Sequence, residues 1–371
     1  MTLESSNQRI ARLTPLAAVL ALVESRVAAV APRKCALARG LGSTLAADVA
    51  ASEHPPHPIA LRDGYAVEAV AIADAGPYAP VPFALLPPRV DAGEPLPNGT
   101  DTIAPLDAVN ARGDHAEAIA QVTPGEGVLP AGGDATPLIP LRRAGERLRA
   151  IDVAVLAALG IAEVTVRAPR IRIAYGSTRK TPVIDAALAM LARAIAKSSG
   201  NKLDEAVPLD EALMDNQADA VTAIGGTGSG RNDSSVQTLA RLGRVEVHGI
   251  AVSPGETAAF GFVGERPVLL VPGRLDAALT VWLLLGRHLV SKLAGGSVED
   301  VPALLPLKRK VTSTIGMTEL IPVSCAGGMA EPLASGYLSL TALTRSDGWI
   351  VIPADSEGFG AGTQVAVRRW P

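Results

Sequence analysis

The sequence predicts a multidomain α/β protein, and three observations carry that prediction. From Arg170 onward, apolar strand-like runs alternate with helix-length segments, the pattern of a mostly parallel sheet covered by helices. Between residues 51 and 140 the chain turns rich in Pro and Gly and offers only short alternating runs, as in a small β-domain. After Pro302, strand-like pieces return and close the chain as a compact β-domain. A length of 371 residues accommodates two to four domains, and 48% apolar content lets each bury a core.

Residues 10–50 read as helical, because Leu16, Val19, Leu20 and Val23 recur at helical spacing. A second helical stretch is expected near Leu41–Val49. Strand candidates in the Pro- and Gly-rich section are Tyr65–Val67, Phe83–Leu86, Thr102–Pro105 and Glu117–Val122. Helix returns at Ile151–Leu159 with Gly160 as its cap, followed by a short strand over Ala162–Val166. The α/β section then reads as strand Ile171–Tyr175, helix Pro182–Lys197, strand Ala220–Ile224, and helix Ser234–Leu242 closed by Gly243. Strands at Val245–Val252 and Val268–Val271 precede a long helix over Arg274–Leu293. The last strands are expected at Lys310–Thr314, Glu319–Val323, Trp349–Pro353 and Gln364–Arg368. The domain division is therefore a helical domain from 1–50 plus 141–168, an inserted β-domain at 51–140, an α/β domain at 169–299 and a C-terminal β-domain at 300–371.

Composition excludes several function classes. A formal net charge of −3 without a basic tract argues against nucleic acid as the main partner. The apolar run Leu13–Val23 follows Arg9 and Arg12, but Pro15, Glu24 and Arg26 fit an amphipathic first helix better than a secretory signal. Leu275–Leu293 carries Asp276, Arg287, His288 and Lys292, so it reads as a buried helix, and no membrane span is expected. Cys35 and Cys325 match no zinc spacing and read as reduced buried thiols of a cytoplasmic protein. The five histidines are scattered, and His54 and His57 sit in a proline-stiffened loop.

Residues 218–233, ADAVTAIGGTGSGRND, carry the strongest chemical signal. The strand Ala220–Ile224 runs into Gly225, Gly226, Gly228 and Gly230, then Asp233 and a helix start. Bare backbone amides and a positive helix end at one point are what holds a phosphate or another anion. Arg231-Asn232 stands where a P-loop needs Lys-Ser/Thr, and Arg231 stands where a GxGxxG fingerprint needs its third glycine. A merely flexible turn between strand and helix is the competing reading.

Several segments in this order resemble the MoeA/gephyrin E-domain family, whose members insert molybdate into molybdopterin. They are LRDGYAV at 61–67, DAGEPLPNGTDTI at 91–103, LAALGIAEVTV at 156–166, ADAVTAIGGTGSGRND, AVSPGETAAFG at 251–261 and VLLVPGRLDAAL at 268–279, with SGYLSLTAL at 335–343 in the last domain. The resemblance implies a central MogA-like molybdopterin-binding domain, a C-terminal β-barrel-like domain, a homodimer, and a cytoplasmic place in molybdenum cofactor biosynthesis. It implies molybdopterin or adenylated molybdopterin, and molybdate, as ligands, with help from a divalent ion such as Mg2+ and a molybdoenzyme as recipient. Ser229 would add a hydroxyl to the glycine amides, and Asp233 is counted with them as a cofactor-binding residue. Pro254-Gly255 and Pro272-Gly273 would form two further turns at the same sheet edge, with Ser177 and Thr178 after the first α/β strand. Asp63 and Asp134 take the catalytic places, and Asp63 is also the candidate metal ligand.

The departures from the family pattern are equally specific. The usual STGDE is Ser177-Thr178-Arg179-Lys180-Thr181, which removes two acids. The usual PGKP is Pro254-Gly255-Glu256-Thr257, preceded by Ser253 rather than lysine. The strand after the first α/β helix is expected to be shortened into Asn201–Val207. Arg179, Lys180, Arg231 and Arg274 are the cations that would restore the balance. Three functions fit these residues: a molybdotransferase, a paralogue that binds and delivers molybdopterin or the finished cofactor without catalysis, or a scaffold that keeps the fold and dimer but no ligand.

Overall fold

The computed structural model describes residues 8–370 apart from 114, 177–180, 199 and 299. Contacts divide the chain into one unit of Met1–Ala47, Gly145–Ala154 and Glu163–Pro371, and another of Asp48–Ala144 and Val155–Ala162.

The larger unit is built on a six-stranded sheet. Its strands are β1 (Arg170–Tyr175), β2 (Asn201–Pro208), β3 (Ala220–Ile224), β4 (Arg244–His248), β5 (Ala259–Val263) and β6 (Arg266–Val271), in spatial order β2-β1-β3-β6-β5-β4. The first four in that order run parallel, whereas β5 pairs antiparallel with both β6 and β4. All five residues of β3 are buried, as a strand covered on both faces requires. Side chains alternate along β6: Leu269 and Val271 join the core on one face, Val268 and Leu270 the core on the other.

Among the described residues, eight α-helices accompany the sheets. They are α1 (Leu16–Arg26), α2 (Ala150–Ala158), α3 (Pro182–Lys197), α4 (Leu209–Met214), α5 (Ser235–Leu242), α6 (Leu275–Val281), α7 (Arg287–Ala294) and α8 (Leu340–Arg345). α3 begins with Thr181, whose hydroxyl accepts from the Ile184 amide at 3.4 Å, and with Pro182 at the first helical position. It buries Ile184, Ala187, Leu191, Ala194 and Ile195, one helical stripe. α1, α3, α6 and α7 cover one sheet face, while α4 and α5 cover the other with Leu209, Leu213, Val236 and Leu239. The C-terminal sheet follows the order Val252–Ser253, Thr318–Ala326, Gly348–Ile352, Gln364–Arg369, Ala303–Pro306, over a core of Leu307, Ile321, Val323, Ile350 and Val365.

The smaller unit holds two three-stranded antiparallel sheets. One pairs Arg89–Val90, Gly64–Val67 and Thr102–Pro105; the other pairs Val81–Pro82, His115–Ala118 and Val109–Arg112. Val67, Ile72, Ala104, Val109 and Ala118 form its main core.

Several expectations are corrected. The helix expected near Leu41–Val49 is a 3-10 turn at Leu37–Gly40 and a strand at Thr44–Leu45, and Arg33–Ala36 is also a strand, so 10–50 is not helical throughout. Gly42 at φ 77° interrupts any helix there, and the strand Glu163–Arg167 pairs with both segments. Asn201–Pro208 is a full eight-residue strand rather than a shortened one. Val245–Val252 breaks at Gly249, φ 95°, and only Val252–Ser253 continues, into the C-terminal sheet. The strands expected at Phe83–Leu86 and Glu117–Val122 lie earlier, at Val81–Pro82 and His115–Ala118. Cys325 is exposed and Cys35 half-buried, so neither is the fully buried thiol expected. The segment Leu275–Ala294 is long and apolar enough to cross a bilayer, but 72% of its most apolar 18-residue stretch is buried, as in the core helix of this unit. It widens into a π-turn at Trp282–Gly286, where the Trp282 ring packs against Gly286 and leaves no room for a Cβ.

Candidate functional site

The registers of Tyr175 with Ile224 and of Ile224 with Val271 bring the carboxyl ends of β1, β3 and β6 level. Ligands bind at that edge of an open α/β sheet. Here Gly176 follows β1, Gly225-Gly226 follows β3, and Pro272-Gly273 follows β6. The three turns touch. The Gly176 amide donates to Ile224 O at 2.9 Å, the Gly225 amide donates to Val271 O at 2.9 Å, and a Cβ on Gly273 would lie 3.4 Å from Gly225 Cα. Side chains are excluded for a physical reason: a Cβ on Gly226 would stand 2.6 Å from Gly176 O and 2.4 Å from Ser235 Oγ.

The four carbonyls from Gly225 to Gly228 find donors inside the fold. Gly225 O accepts from Ser235 Oγ at 2.7 Å, and Gly226 O from the Ser235 amide at 2.9 Å. Thr227 O takes a bond from His248 Nε2 at 3.0 Å, and Gly228 O one from Gln8 Nε2 at 2.7 Å. The amides of Thr227, Gly228 and Ser229 meet no acceptor among the described residues. Gly228 is half-buried and Ser229 and Gly230 are exposed, so the mouth of the turn faces solvent. Asp233 sits within it: Oδ2 accepts from the Gly230 amide at 2.9 Å and would lie 2.8 Å from a Cβ on Gly228. Three of the first four amides at the positive end of α5 already have acceptors. Its Ser235 amide is bonded to Gly226 O, its Gln237 amide reaches Gln8 Oε1 at 3.4 Å, and its Thr238 amide is bonded to Ser234 O.

The Pro254-Gly255 turn reaches this edge as well, through a bond of 2.9 Å between Thr257 Oγ1 and Thr227 Oγ1. Pro254 and Gly255 are themselves buried; Gly255 has φ 137°, and a Cβ there would stand 2.6 Å from Val281 Cγ2. Their part is to shape the backbone, not to offer side chains. Beside them lies a cleft of about 400 Å³ lined by Ser253, Glu256, Thr312, Ser313, Thr314, Met317, Glu319, Ser335 and Gly336. It is rich in hydroxyls and carries two carboxylates, Glu256 and Glu319. Glu319 is buried and accepts from the Gly336 amide at 2.7 Å. Arg274, one of the expected compensating cations, is spent: it pairs with buried Asp276 and lies 4.9 Å from the Tyr337 ring centroid. The Asp276 hydrogen bond holds its guanidinium above the ordinary arginine range. Arg231 is exposed on the turn. Ser177 and Thr178, with Arg179 and Lys180, lie outside the described residues.

Asp63 and Asp134 belong to the smaller unit. Asp63 precedes the strand Gly64–Val67 and is exposed, and its Oδ1 accepts from the Ala92 amide at 2.8 Å. That bond fixes the loop DAGEPLP, a structural task consistent with a turn-forming aspartate. Asp134 is exposed, with its backbone amide donating to His54 O at 3.0 Å. Among the described residues no three His, Cys, Asp or Glu side chains converge as a metal site.

Sequence reasoning missed Gln8, Ser235, His248, Thr257, Asp276 and Glu319. Ser235 and Thr257 stand next to or within quoted motifs and carried a faint signal. Gln8 lies 218 residues from Gly226 and carried none.

Comparison with known proteins follows this architecture. The family model for the MoeA N-terminal region (domain I and II) matches residues 14–160, that for a "Probable molybdopterin binding domain" matches 179–292, and that for the MoeA C-terminal region (domain IV) matches 305–370. Such an array defines a multidomain protein of molybdenum cofactor biosynthesis with a MogA-like α/β domain at its centre. The chain belongs to the MoeA family. Molybdopterin molybdenumtransferase 2 of Mycobacterium tuberculosis is 27% identical over 395 residues, covering 93% of this chain and 97% of its own length. Molybdopterin molybdenumtransferase 1 of the same organism is 27% identical over 75% of this chain and 73% of its own. A relative from Methanocaldococcus jannaschii is 31% identical, but over 47% of this chain and 41% of its own. The crystal structure of a molybdopterin biosynthesis MoeA protein from Pyrococcus horikoshii superposes with a TM-score of 0.78 at 24% identity, covering 97% of this chain and all of that one, and so shares the fold.

Proposed function

We propose that this chain is a molybdopterin molybdotransferase that exchanges the adenylyl group of adenylated molybdopterin for molybdate, with AMP as the leaving product. One observation carries the placement of the ligand. At the level ends of β1, β3 and β6, a glycine turn has its carbonyls bonded inward and the amides of Thr227, Gly228 and Ser229 unclaimed by the described residues. An array of that kind receives an anionic group such as the molybdopterin phosphate. Around it, Gly225, Gly226, Gly228, Gly230, Gly255 and Gly273 supply backbone clearance, and Ser229 and Asp233 supply polar atoms.

Asp63 and Asp134 are assigned to the catalytic end. Magnesium binds through one or two carboxylates together with substrate phosphates, and Asp63 is the carboxylate we assign to it. The domain division follows the sequence boundaries: helical 1–50 plus 141–168, inserted β-domain 51–140, α/β domain 169–299, C-terminal domain 300–371. A cytoplasmic homodimer that passes finished cofactor to a molybdoenzyme completes the reading. The identity of relatives as molybdenumtransferases favours catalysis over binding and delivery alone.

The test supplies purified protein with adenylated molybdopterin, molybdate and Mg2+, and follows AMP and active cofactor. Turnover is expected. Tight binding without AMP would leave a delivery protein, and no binding would overturn both readings. Gly228→Val drives a side chain onto Asp233 Oδ2 and into the turn, so it should abolish molybdopterin binding, whereas Asp63→Ala should chiefly abolish turnover. Unchanged affinity in Gly228→Val would remove the ligand from the glycine turn.

A further inference from the structure

We propose that Gln8, from the N-terminal segment, is a positioning residue that aims the anion-binding amides of the glycine turn. The inference rests on the reading that this turn receives the phosphate of molybdopterin. Gln8 is a buried polar side chain, 9% exposed, and all of its hydrogen-bonding capacity in reach is directed at the site. Its Nε2 donates to Gly226 O and to Gly228 O, both at 2.7 Å, while its Oε1 accepts from the Gln237 amide of α5 at 3.4 Å. The carboxamide has one workable orientation, because the reverse would set an oxygen against two carbonyls.

Peptide geometry converts those bonds into a direction. A trans peptide unit is planar, so a carbonyl held on one side points the next residue's N–H to the other. By gripping Gly226 O and Gly228 O with a single nitrogen, Gln8 sends the Thr227 and Ser229 amides away from itself together. His248 Nε2 holds the intervening Thr227 O at 3.0 Å and fixes the Gly228 amide in the same way. The turn is glycine-rich and would otherwise sample many conformations. Gln8 removes that freedom before ligand arrives, which is how preorganisation raises affinity. The grip on α5 explains a second fact: Ser234 makes no side-chain cap, and the distant glutamine supplies that oxygen instead. The N-terminal segment is held in place for this task. Thr14 exchanges backbone bonds with Gly249 O at 2.9 Å and the Ala251 amide at 2.8 Å, and Ile10 lies over Gly249, where no Cβ fits.

The experiment measures molybdopterin affinity, together with amide hydrogen exchange across 225–233, in wild type, Gln8→Ala, Gln8→Glu and Gly228→Val. Loss of two hydrogen bonds of about 1 kcal/mol each corresponds to roughly ten- to thirty-fold weaker binding in Gln8→Ala. Gln8→Glu keeps the size and the α5 cap but sets a carboxylate against two carbonyls, so it should bind no better. Both variants should show faster exchange at the bonded amides of the turn, Gly230 and Asp233, with the β-strand amides as protected as in wild type. A merely structural side chain would instead raise exchange throughout the unit. If Gln8→Ala does not fold, the near-isosteric Gln8→Glu carries the comparison. Binding within twofold of wild type in the folded variants, while Gly228→Val abolishes it, overturns the role of Gln8 and leaves the site. Full binding by Gly228→Val overturns the site itself.

Discussion

Gly226→Ala should destabilise the larger unit by about 3 kcal/mol, and the figure can be built from the turn. Gly226 has φ 72°, and placing an L-residue there costs roughly 1–2 kcal/mol. The new methyl would stand 2.6 Å from Gly176 O, a backbone atom packed against β3, and 2.4 Å from Ser235 Oγ. Ser235 must then abandon Gly225 O, to which it donates at 2.7 Å, and a buried acceptor without its donor costs about 1–3 kcal/mol. Gly228→Ala is the internal control. Its Cβ meets only the rotatable end of Asp233, 2.8 Å away, so its cost should stay below about 1 kcal/mol. Urea unfolding followed by tryptophan fluorescence reads both, because Trp282 is buried in the same unit. If Gly226→Ala unfolds within about 0.5 kcal/mol of wild type, or if Gly228→Ala is equally damaging, the steric account of the turn is wrong.

Three further outcomes follow from the same reasoning. Gly286→Ala lies in a helix, where propensity alone would gain about 1 kcal/mol, yet its Cβ would stand 2.3 Å from the Trp282 ring; melting should show a net loss of about 1–3 kcal/mol. Asp276→Ala should cost about 1–3 kcal/mol, since it leaves the buried Leu338 amide, which donates to Asp276 Oδ2 at 3.1 Å, without its acceptor, while the half-exposed Arg274 is left to solvent; a loss under about 0.5 kcal/mol in urea titration would refute this. The Gln217 amide and the Arg172 guanidinium hold the Asp215 carboxyl below the usual carboxylate range. A depressed folded pKa means stability present above the unfolded value of about 3.9 and lost as pH falls through the folded value. Asp215→Asn should therefore cost about 1–2 kcal/mol at pH 7 and progressively less below about pH 4, read as a converging pair of stability curves.

Much of the fold was legible because its signals are local. Pro182–Lys197, Ala220–Ile224 and Thr102–Pro105 coincide with the structure, since an N-cap threonine before proline, a run bounded by glycine, and an isolated β-branched pair each act within a few residues. The error at Leu41–Val49 has the opposite origin. That segment is rich in Leu and Ala, but Gly42 adopts a positive φ and pairing with Glu163–Arg167 lies 120 residues away in sequence, roughly, beyond any window of periodicity. The strand Ala259–Val263 was overlooked because its buried Ala-Phe-Gly-Phe-Val run has no polar alternation.

The sequence by itself determined that a glycine turn ends a buried strand, and that two more turns close neighbouring strands. Backbone clearance of that kind is written in the glycines. Tertiary structure alone decided what the turn can do. It placed Gln8, Ser235 and His248 behind the carbonyls, so that the amides face outward, and it assigned the first turn of α5 to other partners. It also paired Arg274 with Asp276, removing a cation that a reading of charges would count as available. Hydrogen bonds and ion pairs of this kind join positions with no shared spacing, and their geometry exists only once the sheet has brought the segments together.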